Sequence, residues 1–166
     1  MNDLEILEFD EIDSTNDEAK RMLRASHSVP FCIVAKRQIA GRGQWGKNFW
    51  SPEGGFYATV VINDNSLSTV DIGKMLTEYL QSLTTKKVTQ KPVNDVLIDG
   101  KKVAGILVEK VMGKLVIGIG INQFQKEPIP KELQNSIGFL ESTVNPQSII
   151  TPLCTLREEG TIPLLT

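Results

Sequence analysis

Short apolar runs and turn signals alternate along the chain, and this pattern predicts a domain rich in β-strands. The runs are either continuously apolar or alternate with polar residues, as expected for strands buried on both faces or on one face. The predicted strands are 6–12, 31–35, 56–62 and a short one at 88–91.

Two longer stretches have apolar residues at helical spacing and predict helices. The first begins at Thr15, because Thr15 and Glu18 have the spacing of a capping box, and it ends near Ser26. The second is capped within 68–71 and runs to about Leu83, with its apolar side chains in one stripe.

Two hairpins are predicted in the second half of the chain. Asp99-Gly100 separates two apolar runs, which is a strong signal for a tight hairpin turn. The strands 103–110 and 114–121 are predicted to pair across a turn at Met112-Gly113. Hairpins join antiparallel strands, so they argue against a doubly wound parallel sheet.

The order of elements predicts an α+β fold. After the hairpins the sequence is irregular, and a last short helix is predicted to begin at Thr151-Pro152 and to end at Gly160. Strands and helices alternate only in the first half, and several adjacent strands follow. We therefore expect residues 1–166 to form one α+β domain, with a mixed, largely antiparallel sheet and helices mainly on one face.

Length and composition exclude several classes of protein. The 166 residues are 40% hydrophobic and carry a net charge of −2, which fits one globular domain without a basic field for nucleic acid. No apolar run has the length of a membrane span, and the acidic N-terminus lacks the features of a signal peptide, so we expect a cytoplasmic protein. Cys32 and Cys154 are expected to be free thiols, and His27 to be a surface residue, which leaves no zinc or Ser-His site.

The segment 40–47, here named the glycine loop, is the first candidate for chemistry. Its sequence is AGRGQWGK, in which glycines alternate with Arg42, Gln44, Trp45 and Lys47. Glycines let the backbone approach a ligand closely, and the two cations add positive charge beside it. An anion is the expected ligand, either a phosphate or a carboxylate.

Two nucleotide-binding motifs match the glycine loop only on paper. Residues 41–46 read G-x-G-x-x-G, and 41–47 read G-x-x-x-x-G-K. Both motifs require a helix directly afterwards, whereas the residues 48–55, NFWSPEGG, cannot form a regular helix. Asn48 also stands where a P-loop carries Ser or Thr. A surface turn without a ligand remains the alternative at this point.

A second group of polar residues lies at the mouth of a predicted hairpin. Lys91, Asn94 and Asp95 combine a cation, an amide and a carboxylate, and Lys102 follows seven residues after Asp95. Asp95 is the kind of residue that holds magnesium on a nucleotide. Lys102 could neutralise charge on a phosphoryl or carboxyl group, although a capping Asp and solvated lysines would explain the same residues.

Taken together, several short motifs between Ile6 and Asn122 resemble the biotin protein ligases. Each motif alone is weak, but their order and spacing match that family. The motifs are Ser14-Thr15-Asn16, 38–43 (QIAGRG), 50–55 (WSPEGG), 91–95 (KPVND), 100–109 (GKKVAGILVE) and 118–122 (GIGIN).

The resemblance implies a fold and a reaction. The fold would be the α+β sheet that biotin ligases share with lipoate ligases and class II aminoacyl-tRNA synthetases. In the implied reaction, biotin and ATP form biotinyl-5'-AMP with Mg²⁺ present. Biotin then passes to a lysine of the biotin carboxyl carrier protein of acetyl-CoA carboxylase. The protein would act without nucleic acid or membrane, as a monomer or a homodimer.

The resemblance also implies roles for individual residues. Lys102, Arg42 and Asp95 would be catalytic, and Asp95 would hold Mg²⁺ through ATP. Biotin would be bound by Ser14, Thr15, Asn16, Gln38, Gly41, Arg42, Gly43, Gln44, Lys102 and Gly105. ATP would be bound by Lys47, Lys91, Asn94, Asp95 and Asn122.

Some residues depart from the family pattern. Gln44 and Lys47 stand where many members carry arginines, so a bidentate phosphate contact is replaced by an amide and a point charge. Phe49 occupies a usual tryptophan position, and Pro92-Val93 replaces Trp-Pro. We further expect neither an N-terminal helix-turn-helix nor the usual C-terminal β-barrel domain, and hence no DNA-binding repressor role and either a minimal or an impaired ligase.

Two other functions remain open on the sequence alone. A lipoate or octanoate ligase or transferase would have the same fold, although its R-R-x-x-G-G-G segment is not found in this chain. A non-catalytic module that only binds biotin or its adenylate would also retain these motifs.

Overall fold

The computed structural model describes residues 4–155, and in this part of the chain seven strands form one sheet. In chain order the strands are β1 (Glu5–Phe9), β2 (Phe31–Ala35), β3 (Phe56–Asn63), β4 (Val88–Lys91), β5 (Asp95–Ile98), β6 (Lys101–Val111) and β7 (Lys114–Ile121). Their order across the sheet is β1-β2-β3-β7-β6-β5-β4. Only β1 and β2 pair in parallel, which confirms the mixed, largely antiparallel sheet.

The two predicted hairpin turns are present. Asp99 and Gly100 have φ of 51° and 76°, and Met112 and Gly113 have φ of 53° and 74°. Positive φ at both central residues is the geometry of the tight turn that matches the twist of antiparallel strands. These turns set the pairing of β5 with β6 and of β6 with β7, and β6 and β7 together form the centre of the sheet.

Three helices cover the sheet, and two of them lie on the same face. They are α1 (Thr15–Arg24), α2 (Thr69–Gln81) and α3 (Pro146–Cys154). Buried side chains of α2 and α3, such as Ile72, Leu76 and Ile149, pack with Ile117 and Ile119 of β7 in the larger core. This confirms the expectation of helices mainly on one face for α2 and α3.

Helix α1 lies on the opposite face of the sheet. Its buried residues Ala19 and Leu23 pack with Phe31, Ile33 and Val61 in a separate, smaller core. Successive strand residues point to opposite faces, so Phe31 and Ile33 face α1 while Cys32 between them faces the larger core. Because the strand is buried on both faces, residues 31–35 form a continuous apolar run.

The boundaries of the first two elements differ slightly from the prediction. The strand β1 ends at Phe9, and Ile12 makes only an isolated bridge to Gln38. Helix α1 begins at Thr15 as predicted, but its cap is Ser14, whose Oγ accepts a hydrogen bond from the Asp17 amide at 3.2 Å. The capping residue therefore lies one position before the Thr15–Glu18 pair.

The start of the last helix was predicted wrongly. Helix α3 begins at Pro146, not at Thr151, because Asn145 accepts a hydrogen bond from the Gln147 amide and Pro146 occupies the first helical position. Pro152 lies inside the helix, where the burial of neighbouring Ile149 and Leu153 outweighs the unfavourable proline. The predicted end at Gly160 lies outside the described residues.

The structure agrees with the expectation that both cysteines are free thiols. Cys32 is buried and Cys154 partly buried, both are free thiols, and burial raises the pKa of each. None of the helices within residues 4–155 is long and apolar enough to cross a membrane.

Replacing Ser68 by alanine tests the cap of α2. The Ser68 hydroxyl accepts from the Asp71 amide at 3.1 Å, and the Asp71 carboxylate accepts from the Ser68 amide. Loss of such a cap costs about 1 kcal/mol. We expect Ser68→Ala to lower the free energy of unfolding in urea by this amount. The matched control is Thr69→Ala, which removes the neighbouring hydroxyl but no described hydrogen bond; an equal loss in both variants would contradict the assignment.

Candidate active site

Three glycines on the central strands form the floor of the site, on the face of the sheet that carries α1. A Cβ at Gly120 would lie 2.5 Å from the Phe49 ring, and one at Gly105 would lie 2.9 Å from the same ring. A Cβ at Gly118 would collide with the Asn16 amide. Glycine is therefore required at these positions, because side chains from α1 and from the loop after β2 lie directly on the sheet.

A first pocket of about 410 Å³ lies above this floor. It is walled by the start of α1, the glycine loop and the central strands β6 and β7. Of the residues predicted to bind biotin, those that line it are Ser14, Thr15, Asn16, Gln38, Arg42, Gly43, Lys102 and Gly105. These residues are distant in sequence, and the fold brings them to one cavity.

Gly41 and Gln44 do not line the first pocket. Gly41 is buried below it, where a Cβ would lie 2.5 Å from both the Phe49 carbonyl oxygen and Ser51 Oγ. Because Gly41 has no side chain, its backbone can pack directly against these two atoms. Gln44 begins a short 3-10 turn, Gln44–Gly46, outside the pocket. No helix follows the glycine loop, which confirms that it is neither a P-loop nor a dinucleotide-binding loop.

A polar wall on one side of the first pocket is oriented by Gln38. Its Oε1 accepts a hydrogen bond from the Thr15 amide at 2.8 Å, and its Nε2 donates to Ser51 Oγ at 2.9 Å. Ser51 Oγ in turn donates to the Phe49 carbonyl at 2.8 Å. Each amide atom of Gln38 therefore has a defined partner, and the orientation of its side chain follows from the network.

A second pocket of about 860 Å³ adjoins the first. Among the residues predicted to bind ATP, Lys91, Asp95 and Asn122 line it, whereas Asn94 lines the first pocket. Lys47 lines neither pocket and is exposed at the end of the 3-10 turn.

Lys102 lies at the junction of the two pockets. Lys102 and Phe49 are the two residues that line both pockets in the described part of the chain. Its Nζ lies 3.0 Å from Asp95 Oδ1 and 5.3 Å from the centre of the Phe49 ring. Both charged side chains are largely buried, with 30% and 24% of their surfaces exposed. A positive charge is therefore held where a ligand in either pocket could reach it.

The contact between Lys102 and Asp95 leaves hydrogen-bonding capacity unused. Asp95 Oδ1 is buried and accepts no hydrogen bond from any residue of the described part of the chain, since the nearby ammonium is not aligned to donate to it. A buried carboxylate oxygen without a donor is costly, and it is available to a further cation or donor.

The backbone of Lys102 is fixed by its neighbours. The Lys102 amide donates to the Ser136 carbonyl at 2.8 Å, and its carbonyl accepts from Nδ2 of Asn122 at 3.2 Å. Asn122 is 3% exposed, and its side-chain amide is bonded to the backbone at the start of β6. These hydrogen bonds hold the backbone from which the Lys102 side chain extends.

An ion pair ties the glycine loop to α1. Arg42 Nε donates to Asp17 Oδ2 at 2.8 Å, and this hydrogen bond raises the pKa of the Arg42 guanidinium above its ordinary value. The Arg42 side chain is 54% exposed, with its remaining N–H groups free to meet a ligand at the mouth of the first pocket.

Several residues of the site escaped the sequence reasoning. Phe49, noted only as a departure from the family, lines both pockets. Leu133, Asn135, Ser136 and Ile137 line the second pocket, although the sequence around them has no regular pattern. Thr59 is fully buried beneath the first pocket. The sequence feature that could have identified Thr59 is its hydroxyl in the middle of the apolar run 56–62.

The described residues contain no group of three or more His, Cys, Asp or Glu side chains that could hold a metal ion. Asp95 is the one carboxylate that lines either pocket. A Mg²⁺ ion that takes one carboxylate ligand and completes its octahedron with phosphates and water would suit this donor set. His27 lies outside both pockets, where Nε2 is 3.2 Å from Glu5 Oε1.

The comparison with known families agrees with this geometry. Residues 8–122 match the model of the biotin/lipoate A/B protein ligase family, which is more than half of the chain. The chain belongs to this family. The match includes every residue predicted for the site.

Two characterised members of the family are similar to the chain in sequence. The biotin–[acetyl-CoA-carboxylase] ligase of Paracoccus denitrificans is 32% identical over 123 residues, which are 66% of this chain and 51% of that protein. The bifunctional ligase/repressor BirA of Escherichia coli is 36% identical over 124 residues, which are 67% of this chain and 38% of that protein. The matched region thus covers about half of these relatives or less.

Solved structures of the family share the fold. The biotin protein ligase of Aquifex aeolicus, in complex with biotin and ATP, aligns with a TM-score of 0.73 and 33% identity, over 82% of this chain and 59% of that one. The biotin acetyl coenzyme A carboxylase synthetase of Helicobacter pylori aligns with a TM-score of 0.75 at 24% identity, over 89% of this chain and 70% of that one, which supports the fold alone. The predicted class II synthetase-like fold of the biotin ligases is confirmed.

Removal of the Asp17 carboxylate tests the tie between α1 and the glycine loop. We expect Asp17→Asn to increase trypsin cleavage after Arg42 by up to about fivefold, since exposed ion pairs contribute at most about 1 kcal/mol. Mass spectrometry of the early fragments measures the rate. The matched control is Asp13→Asn, which removes a carboxylate paired with Arg21 instead. Equal cleavage rates in wild type and Asp17→Asn would contradict the proposed tie.

Proposed function

We propose that this chain is the catalytic unit of an ATP-dependent biotin protein ligase. It would join biotin to AMP and then transfer biotin to a lysine of a biotin carboxyl carrier protein. The observation that carries the proposal is the pair of adjoining pockets that meet at Lys102. A reaction between two small molecules needs two neighbouring sites and a positive charge between them.

The first pocket suits biotin. The ureido ring of biotin has two N–H donors and a carbonyl acceptor, and the pocket wall at Ser14, Thr15 and Gln38 offers hydroxyl and amide groups to them. Such polar groups discriminate strongly, because they stay unpaired with a ligand that lacks the matching atoms. The valeryl chain would run over the glycine floor toward Lys102, beneath Arg42 and Gly43.

The second pocket suits ATP. Lys91, Asp95 and Asn122 line it, and its volume exceeds that of the first pocket. Asn94 would meet the nucleotide from the side of the first pocket. Mg²⁺ would be held by the phosphates of ATP with Asp95 as its protein ligand. Lys47, exposed outside both pockets, would reach the triphosphate only if the glycine loop moved.

Lys102 would bring the reacting groups together in the first step. A carboxylate oxygen of biotin attacks the α-phosphorus of ATP, a carboxyl–phosphate bond forms, and the bond to the β-phosphate oxygen breaks to release pyrophosphate. The ammonium of Lys102 would neutralise the carboxylate and α-phosphate, which otherwise repel each other. No side chain has to act as a nucleophile, so a single histidine in the chain is no obstacle.

In the second step a lysine amine of the carrier protein attacks the carbonyl carbon of biotinyl-5'-AMP. An amide bond forms, the bond between the carbonyl carbon and the bridging oxygen breaks, AMP leaves with that oxygen and the bond's electrons, and the amine gives up its proton to the solvent. The carrier protein of acetyl-CoA carboxylase is the proposed partner, as the name of the Paracoccus relative suggests. We propose that the reaction takes place in the cytoplasm and that residues 1–166 act as one domain.

Incubation of the chain with ATP, Mg²⁺ and biotin tests the proposal. We expect biotin-dependent release of pyrophosphate and, once a carrier domain is added, a mass increase of one biotin on that domain. Lipoate or octanoate in place of biotin is expected to give neither product. Biotin binding without pyrophosphate release would instead identify a non-catalytic module. Faster turnover with lipoate would identify a ligase of the related branch.

Replacement of Lys102 tests its place at the junction. We expect Lys102→Ala to reduce biotin-dependent pyrophosphate release at least about 100-fold, because removal of one preorganised charge-stabilising group costs this much in other enzymes. The variant should keep the fold but unfold at a lower temperature, because the largely buried Asp95 carboxylate loses its counter-charge. Circular dichroism and thermal unfolding measure both properties.

The neighbouring lysine is the matched control. Lys101 is exposed and lines neither pocket. Lys101→Ala should keep the wild-type rate of pyrophosphate release. A wild-type rate in Lys102→Ala, or an equal loss in both variants, would refute the role of Lys102.

A further inference from the structure

A row of polar side chains lies behind the wall of the first pocket. Thr59 of β3 is fully buried and does not line the pocket. Its Oγ1 lies 2.5 Å from Asn16 Oδ1 and 2.7 Å from Thr15 Oγ1. Thr15 Oγ1 in turn lies 3.1 Å from Gln38 Oε1, and both of these atoms belong to residues that line the pocket. Thr59 can therefore act on a ligand in the first pocket only through Thr15 and Asn16.

The three oxygen–oxygen contacts in this row have only two hydrogens to share. Each hydroxyl of Thr59 and Thr15 carries one hydrogen, whereas Asn16 Oδ1 and Gln38 Oε1 only accept. A contact of 2.5 Å or 2.7 Å between oxygens is repulsive without a hydrogen, and 3.1 Å is the longest of the three. We infer from these distances that Thr59 donates to Asn16 and Thr15 donates to Thr59, which leaves the longest contact, between Thr15 and Gln38, without a hydrogen.

The amide orientations at the two ends of the row place an acceptor oxygen against each hydroxyl. At one end Asn16 Nδ2 donates to Glu109 Oε1 at 3.1 Å, and Glu109 Oε2 pairs with Lys20 Nζ at 2.5 Å. A carboxylate can only accept, so Asn16 must turn its amide nitrogen toward Glu109 and its oxygen toward Thr59. At the other end the Thr15 backbone amide donates to Gln38 Oε1, which keeps that oxygen facing Thr15.

The direction of the row determines what the pocket wall offers to a ligand. Because the Thr15 hydrogen points back to Thr59, the lone pairs of Thr15 Oγ1 remain free. Gln38 Oε1 also keeps one lone pair, since it receives only the Thr15 amide hydrogen. The wall therefore presents two hydrogen-bond acceptors 3.1 Å apart, and it favours a ligand head group with N–H donors.

We propose that Thr59 and Glu109 are positioning residues that set the hydrogen-bond polarity of the pocket, so that Thr15 accepts from the N–H groups of the ligand. The inference rests on the proposed function, in which that ligand is biotin with its ureido N–H groups. It also gives a reason why the dithiolane ring of lipoate or the methyl end of octanoate would be rejected: neither carries an N–H donor, and the acceptors would be left unpaired.

Thr59→Val is the primary test. Without the Thr59 hydroxyl, the Thr15 hydrogen turns to Gln38 Oε1, and the wall loses an acceptor. We expect the dissociation constant for biotin, measured by calorimetry, to rise about tenfold, a typical cost of losing one such hydrogen bond. The KM for ATP should not change. The matched control is Thr59→Ser, which keeps the hydroxyl and should bind biotin like the wild type.

Glu109→Gln tests the other end of the row without emptying a buried position. A glutamine amide can donate to Asn16, so the Asn16 amide can reverse and drive the hydrogens in the opposite direction. We expect weaker biotin binding again, by about tenfold. Its control is Lys20→Gln, which removes the ion pair with Glu109 but leaves the carboxylate that faces Asn16; this variant should bind biotin like the wild type.

The outcomes separate this inference from the proposed function. If the wild type binds biotin and Thr59→Val binds it equally well, the inference on polarity is wrong while the proposed function stands. If Thr59→Val and Thr59→Ser weaken the binding of biotin and of ATP alike, Thr59 has only a structural role, and the inference is again overturned. If the wild type binds no biotin at any concentration, the proposed function fails and the inference fails with it.

Discussion

The contact between Lys102 and Asp95 is the interaction on which the arrangement of the site depends. The two charges lie 3.0 Å apart at the junction of two pockets, and yet Asp95 Oδ1 receives no aligned hydrogen bond within the described residues. The two largely buried charges compensate each other, while Asp95 Oδ1 keeps unused hydrogen-bonding capacity. The unused capacity favours the entry of further charged groups, such as a carboxylate at Lys102 and a metal-bound phosphate at Asp95.

The sheet makes this arrangement possible because glycines on its central strands leave one face without side chains there. Gly105, Gly118 and Gly120 leave room on β6 and β7 for Phe49 and Asn16 to lie against the backbone. The glycine loop can then cover the first pocket with Arg42 while Gly41 packs beneath it. The loop is thus a cover for the site, and its charged residues differ in position: Arg42 lines the first pocket, whereas Lys47 lines neither pocket.

Much of the fold was accessible from the sequence, because its signals were local. The turns at Asp99-Gly100 and Met112-Gly113 and the stripe of α2 depend on residues close in the chain, and each was predicted correctly. The start of helix α3 was predicted at Thr151 instead of Pro146, because Thr151-Pro152 has the composition of a helix start. The stability of the helix comes from burial of Ile149 and Leu153 in a core formed with distant strands.

The composition of the site was predictable only in part. Motifs such as Ser14-Thr15-Asn16 pointed to the pocket wall, and the structure brings eight of the ten residues proposed for biotin into one cavity. Thr59 and Glu109 could not be assigned from spacing, since their importance arises from distances across three elements. Leu133, Asn135, Ser136 and Ile137 line the second pocket, and the sequence around them has no periodic pattern that would have predicted this.

A crystal structure of the chain with biotin and a non-hydrolysable ATP analogue tests the central claim most directly. The ureido ring should lie against Thr15 and Gln38 in the first pocket, and the nucleotide should lie in the second. The biotin carboxylate and the α-phosphate should both lie within hydrogen-bond distance of Lys102 Nζ. Biotin bound outside the first pocket, or Lys102 Nζ turned away from both ligands, would contradict the account.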